Sequence, residues 1–134
     1  MPLSRRSLAA RVLPLLDLTR LGDDDPPEAM VALCAAARAA PLAPAAVCVH
    51  PEHVTTARRE LAGTRIRVAT VVNFPDGGDD PGRVARETRR ALAAGADEID
   101  LVFAHAAFLR GDVERARGGV AAGHDLADGF AGRR

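Results

Sequence analysis

The chain has 134 residues, of which 48% are hydrophobic and 27% charged, and its positive and negative charges balance. This length suits one domain, and the composition is ordinary for a globular protein. Four Phe and no Trp or Tyr, without a basic face, argue against nucleic-acid binding. No run approaches the roughly 18 apolar residues of a membrane span, so we expect no membrane partner. All 18 basic residues are arginine, and the chain contains no lysine.

The N-terminal segment predicts an amphipathic helix. Leu8, Val12, Leu15 and Leu16 recur at helical spacing, and we expect them to pack on the core. Two adjacent arginines also resemble a twin-arginine export signal. Against export, Arg11 interrupts the apolar run and no small-residue cleavage site follows it. We therefore expect a cytoplasmic protein.

A second helix is predicted after the acidic turn GDDD. Asp25 is the expected N-cap, and Glu28 follows it three residues later, as in a capping box. The apolar face of this helix is expected to consist of Met30, Leu33, Cys34 and Ala37.

Three short apolar segments predict buried strands, at residues 45–50, 66–74 and 98–103. They alternate with helices that are expected to begin near Pro51 and at Asp80. Nearly continuous apolar strands that alternate with helices are typical of a parallel sheet covered on both faces. The sequence therefore predicts an α/β fold built from right-handed βαβ units.

The last segment of the chain has a different character. Asp112 can cap a helix, but glycines then follow in quick succession, at Gly118, Gly119, Gly123, Gly129 and Gly132. Each glycine inside a helix costs about 1 kcal/mol relative to alanine. We therefore predict one structured part at residues 1–111 and a Gly/Arg-rich tail at residues 112–134, frayed or disordered after about residue 117.

Polar residues near the strand ends are the candidate functional residues, since parallel α/β folds bind ligands at the carboxyl ends of their strands. Asp100 is the strongest, because a carboxylate within an apolar strand needs a partner or a function. A functional role and an ion pair with an arginine such as Arg67 both remain open. Asn73 is a similar, weaker candidate. Asp17 and Thr19 lie on one side of an extended segment, where a function and a capping turn are both possible.

The sequence predicts neither a metal nor another cofactor. His50 and His53 are three residues apart but have no third ligand. The acidic loops lack the alternating pattern of a calcium site, and no P-loop or dinucleotide fingerprint occurs. Cys34 and Cys48 have no neighbouring thiol at metal spacing, so we expect both to be reduced and buried.

Taken in order, these segments resemble the deoxyribose-phosphate aldolases. The resemblance covers about residues 8–111 and rests on LLDLTRLGDDD, ALCAAA, AAVCVHPEHV, RVATVVNFPDG and ETRRALAAGADEIDLVF. It implies an α/β fold that forms the N-terminal portion of a (β/α)8 TIM barrel, with about three βα units after N-terminal helices. It also implies a reaction without metal or cofactor. Family members reversibly cleave 2-deoxyribose 5-phosphate to glyceraldehyde 3-phosphate and acetaldehyde through a Schiff base on a lysine.

The resemblance implies roles for individual residues. Asp100 matches the aspartate that transfers protons at the Schiff base, so it is the expected catalytic residue. Asp17 and Thr19 match the segment near the phosphorylated sugar and are expected to bind substrate. Cys48 matches a cysteine of structural rather than catalytic interest. The family's two lysines lie on its sixth and seventh strands, past the part of the barrel that this chain resembles.

Three hypotheses follow for the chain. Because arginine cannot replace a lysine nucleophile, we expect an aldolase-family fragment that is inactive alone. Alternatively, a second polypeptide supplies the C-terminal half of the barrel, with both lysines, in trans. The third hypothesis is a small non-catalytic binding or assembly module that uses open strand edges. The tail also fits a reading frame that shifted near residues 111–120.

Overall fold

A computed structural model describes Pro2 and residues 4–131. Within these residues no helix is long and apolar enough to cross a membrane. In chain order the elements are α1 (Arg5–Val12), a 3-10 turn (Leu13–Leu15), β1 (Asp17–Arg20), α2 (Pro27–Ala39), β2 (Ala46–Val49), a 3-10 turn (Pro51–His53), α3 (Val54–Glu60), β3 (Arg67–Val72), α4 (Pro81–Ala94), β4 (Glu98–Leu101), α5 (His105–Leu109) and α6 (Val113–Ala131).

The strands form one parallel sheet in the order β1-β2-β3-β4. This arrangement confirms the predicted α/β fold and its parallel sheet, but the expected count of three strands was one too low. The additional strand is β1, whose Leu18 lies beside Val47 in the register. Of its four residues only Leu18 is apolar and partly buried. So short a segment becomes a strand only when it forms a ladder with β2.

The main core lies between the sheet and the helices, and it is built from small side chains. From the strands it takes valines such as Val47 and Val68, both fully buried. From α2 it takes Met30, Cys34 and Ala37, which confirms the predicted apolar face of that helix. From α3 and its C-terminal end the core takes Val54, Ala57 and Leu61, which are also buried.

The predicted helix starts were right at two positions and wrong at one. Asp80 caps α4 by accepting a hydrogen bond from the Gly82 N–H at 2.8 Å, as expected. Asp112 likewise accepts one from the Arg115 N–H at 3.2 Å. Asp25 does not cap α2, whose N-cap is Pro26. The Asp25 carboxylate instead accepts hydrogen bonds from the Arg20 guanidinium at 2.8 Å and from the Gly22 N–H at 2.9 Å.

The apolar stripe of α1 does not pack on the core, so that prediction was wrong. No residue of α1 is buried, and Leu8 and Leu15 are 53% and 78% exposed. The helix precedes β1, which is an edge strand of the sheet. The predicted stripe is also not a single helical face, because α1 ends at Val12 and Leu15 and Leu16 lie beyond it.

The segment after Asp112 differs from the expected frayed tail, because α6 is continuous over Val113–Ala131. The glycines let α6 approach α4 closely. A Cβ placed at Gly118 would lie 3.1 Å from Pro81, and one at Gly119 would lie 3.4 Å from Val84. Packing against α4 thus offsets the low helix propensity of glycine. Residues 132–134 lie outside the described residues, and a boundary at residue 111 remains a prediction.

Candidate active site

The sheet has two faces, and the candidate residues lie on the one opposite to Val47, Val49 and Val68. Side chains alternate between faces along each strand, and the register places Thr19, Cys48, Ala69 and Glu98 side by side across the four strands. We call this side the inner face and define it by Asp17, Thr19, Ala46, Cys48, Arg67, Ala69, Val71, Glu98 and Asp100.

The inner face has an apolar centre and polar margins. Its centre is a cluster of buried residues on β2 and β3, packed against Leu21 and Phe74, and it consists of Ala46, Cys48, Ala69 and Val71. The margins are the edge strands: Asp17 and Thr19 lie on β1, and Glu98 and Asp100 lie on β4. The predicted substrate residues and the predicted catalytic residue therefore lie on one surface, on opposite sides of an apolar floor.

The carboxylates of this face repel one another. Partial burial raises the pKa of Asp17 above its ordinary value, and the negative charges of Glu98 and Asp100 raise it further. Although β1 and β4 are the outer strands of the sheet, their carboxylates are thus close enough to interact. An arrangement of this kind is stabilised by a cation placed between them.

Asp100 lies on β4 beside Val71 in the register, and its side chain is exposed rather than buried as expected. The ion pair considered for it is not the one that forms. Within the described residues, Arg67 instead pairs with Glu98 at 2.9 Å. Asp100 avoids the cost of desolvation because it lies at the polar margin of an uncovered face.

Cys48 lies at the centre of the same face, buried and not in a disulfide. Burial, followed by the charges of Asp100 and Asp17, raises the pKa of its thiol to about 11. The thiol therefore stays neutral at physiological pH and is a poor nucleophile. Cys34 is also a free, buried thiol, so the prediction that both cysteines are reduced and buried is confirmed.

The carboxyl ends of the strands, here called the mouth, carry the other candidate residue. Asn73 follows β3, is 1% exposed and has a positive φ of 57°. Its amide Nδ2 donates hydrogen bonds to the carbonyls of Gly78 at 2.8 Å and Val102 at 3.0 Å. A cleft of about 270 Å³ opens nearby and is lined by Asp23, His50, Pro51, Val71, Phe74, Pro75 and Glu87.

No group of three or more His, Cys, Asp or Glu side chains in the described part of the chain is arranged to hold a metal ion. His50, which the sequence offered as a possible ligand, meets the ring of Phe74 edge to face, with centroids 5.4 Å apart.

Two features of the site escaped the sequence reasoning. Glu98 is a third carboxylate on the inner face. Its position two residues before Asp100 could have predicted this, since alternate residues of a strand share a face. The second is an ion-pair network on α4, where Arg83 binds Glu87 at 2.8 Å and Asp76 at 2.8 Å. The i,i+4 spacing of Arg83 and Glu87 was the only sequence pattern that indicated their ion pair.

Comparison with known proteins places the chain in a family. A sequence model of the DeoC/LacD family aldolases matches residues 12–117. The chain belongs to this family. The match reaches six residues past residue 111, where we expected the resemblance to end.

Solved structures agree with this assignment. A Coccidioides immitis protein assigned as a deoxyribose-phosphate aldolase has a TM-score of 0.82 and 26% identity, over 90% of this chain and 47% of that one. A Toxoplasma gondii ME49 protein with the same assignment has a TM-score of 0.77 and 28% identity, over 89% and 46% of the two chains. The tetrameric deoxyribose phosphate aldolase from Aeropyrum pernix has a TM-score of 0.71 over 88% and 50%, and at 18% identity it supports the fold alone.

The chain thus spans about half the length of the solved structures that it matches. This coverage confirms the predicted family and the N-terminal portion of a TIM-barrel fold. The roles of Asp100, Asp17 and Thr19 remain predictions, which we take up next.

Proposed function

We propose that the chain supplies the first half of a deoxyribose-phosphate aldolase active site, whose substrate is the phosphorylated sugar 2-deoxyribose 5-phosphate. The observation that carries this proposal is the inner face, where a member of the DeoC/LacD family brings Asp17, Thr19 and Asp100 to one surface. The chain contains no lysine, so the amine must come from a lysine-bearing second half of the barrel. In the proposed enzyme that half is supplied in trans or by further sequence.

The proposed reaction needs an amine and a proton carrier. The lysine amine condenses with the C1 aldehyde of the open-chain sugar and releases water, which gives an iminium ion. Loss of the C3 hydroxyl proton breaks the C2–C3 bond and releases glyceraldehyde 3-phosphate, while the bonding electrons move into an enamine. Protonation of that enamine at C2 and hydrolysis then release acetaldehyde and restore the amine.

In this scheme Asp100 carries protons at the Schiff base, and Asp17 and Thr19 orient the sugar from the opposite margin of the face. The charge pattern supports the assignment. Three carboxylates share the inner face, and one of them, Glu98, is paired with Arg67 at 2.9 Å. Burial, and then the charges of Glu98 and Asp100, raise the pKa of Asp17, so an ammonium group near Asp17 and Asp100 would be favoured. Cys48, whose thiol stays neutral, takes no part.

The test is complementation. The chain is co-expressed with the lysine-bearing C-terminal half of a related aldolase, and cleavage of 2-deoxyribose 5-phosphate is measured with and without that half. We expect activity, and a borohydride-reduced adduct on the supplied half, only when both parts are present. A complex that forms stably but neither cleaves nor traps the sugar contradicts the proposal, as does an adduct formed on this chain alone.

A pair of matched variants assigns the role of Asp100 in the same assay. Asp100→Asn removes the proton carrier at constant size, and we expect kcat to fall by about 100-fold or more. Asp128→Asn removes an exposed carboxylate on α6, away from the inner face, and should leave kcat unchanged. Equal effects of the two substitutions would exclude a special role for Asp100.

A non-catalytic assembly module is the second candidate function. It is favoured by the position of β1 and β4 at the edges of the sheet, where strands can pair with another chain. Sedimentation of the chain alone distinguishes the two: a stable, uniform oligomer that does not bind the lysine-bearing half supports the module.

We also propose that the protein works in the cytoplasm, where the free thiols of Cys34 and Cys48 stay reduced. The balanced charge of the chain supports a small-molecule substrate rather than a nucleic-acid or membrane partner.

A further inference from the structure

A hydrogen-bond network joins α4 to the end of the strand that carries Asp100. The Glu87 side chain uses both carboxylate oxygens: Oε1 accepts from Arg83 Nε at 2.8 Å, and Oε2 accepts from the Asn73 backbone N–H at 2.6 Å. Arg83 also donates to the Phe74 carbonyl at 3.0 Å and to Asp76 at 2.8 Å. The turn after β3 is thus fixed to α4 at several points, by bonds that involve charged groups and are therefore strong.

Asn73 connects this hydrogen-bond network to the end of β4. Its Nδ2 donates to the Val102 carbonyl at 3.0 Å, and the Val102 N–H donates to the Val72 carbonyl at 3.0 Å. Both polar groups of the Val102 backbone are therefore held, two residues after Asp100. Asparagine suits this position for two reasons, because it tolerates the positive φ of 57° better than most residues and because its short amide reaches neighbouring backbone.

We infer that Asn73 is a positioning residue for Asp100: Glu87, held in turn by Arg83, fixes the Asn73 backbone, and the Asn73 side-chain amide holds the mouth end of β4. This inference rests on the proposed function for its catalytic consequence, but not for the hydrogen bond itself. In this chain β4 is an edge strand, held by a ladder on one side only, so the Asn73 amide is an additional contact at its mouth end. Misplacement of a reacting group by about 1 Å can reduce the rate by orders of magnitude.

The substitutions that test this keep the turn but remove the donor. Asn73→Gly permits the positive φ and removes the amide. Asn73→Asp keeps the size of the side chain and places a carboxylate against the two carbonyls. Thr88→Val is the matched control, because Thr88 lies on α4 and is also fully buried. Valine has nearly the same shape as threonine, so this substitution removes a polar group without changing the packing. Far-ultraviolet circular dichroism establishes that each variant is folded.

The first measurement is hydrogen exchange of the chain over residues 98–105. We expect exchange there to accelerate about tenfold in both Asn73 variants, as local opening becomes easier, and to be unchanged in Thr88→Val. The second is steady-state kinetics of the complemented enzyme, where kcat should fall about tenfold with KM within about twofold of wild type.

Exchange that matches wild type in both Asn73 variants overturns the inference. So does faster exchange with an unchanged kcat, which would make Asn73 a structural residue only. If the wild-type complemented enzyme proves inactive, the proposed function fails. The exchange experiment still decides whether Asn73 holds the end of β4.

Discussion

Replacing Gly123 by alanine tests whether α6 is folded through its glycine-rich part. Gly123 is buried in α6. A Cβ there would lie 3.5 Å from Val84, 3.9 Å from Leu101 and 3.9 Å from Thr88. All three are ordinary contact distances, so the added methyl group fits without displacing a neighbour.

The expected gain follows from helix propensity. Alanine favours the interior of a helix over glycine by about 1 kcal/mol. For a chain of this length that corresponds to a rise of about 4 °C in the unfolding midpoint. The assay is thermal unfolding followed by far-ultraviolet circular dichroism, with the wild-type chain measured in parallel.

Gly111→Ala is the control of opposite sign. Gly111 also has open space around its Cβ position, but its φ is +84°, a conformation that costs alanine roughly 1–2 kcal/mol. We therefore expect this variant to unfold at a lower temperature. If Gly123→Ala leaves the midpoint unchanged while Gly111→Ala lowers it, the segment after residue 117 is frayed in solution and the glycine-based prediction was right.

Two further predictions concern the inner face. Because burial, and then the charges of Glu98 and Asp100, raise the pKa of Asp17 in the folded state, folding loses stability as pH rises through that pKa. Asp17→Asn should therefore be more stable than wild type at neutral pH and lose the advantage below the ordinary carboxyl pKa. Equal denaturation midpoints at neutral pH would disprove that the ionised Asp17 destabilises the fold. Cys48, with a pKa raised to about 11, should resist iodoacetamide at mildly alkaline pH until the chain is unfolded, and rapid modification of the native chain would contradict its burial.

Local sequence signals were sufficient for much of the fold. The apolar segments that predicted strands became β2, β3 and β4, since short apolar runs bounded by turn residues favour strands. Asp80 and Asp112 capped helices as predicted, because a cap depends on residues within a single turn. The ordered motifs around Asp17 and Asp100 indicated the family, which the match over residues 12–117 confirmed.

Features that depend on a contact between two elements could be seen only in the tertiary structure. The strand β1 forms only beside β2, and α6 is a helix because its glycines fit against Val84 and its neighbours on α4. Arg67 pairs with Glu98 rather than Asp100, a choice between two carboxylates on one strand that spacing alone does not make.

The same division holds for the site. The sequence by itself determined that Asp17 and Thr19 share one side of a strand, because alternation is a property of the backbone. Only the sheet brings them to the face that carries Asp100, and only the folded loops place Asn73 against Val102. Contacts between residues far apart in sequence depend on how the elements pack, and that packing is set by the whole core rather than by any one segment.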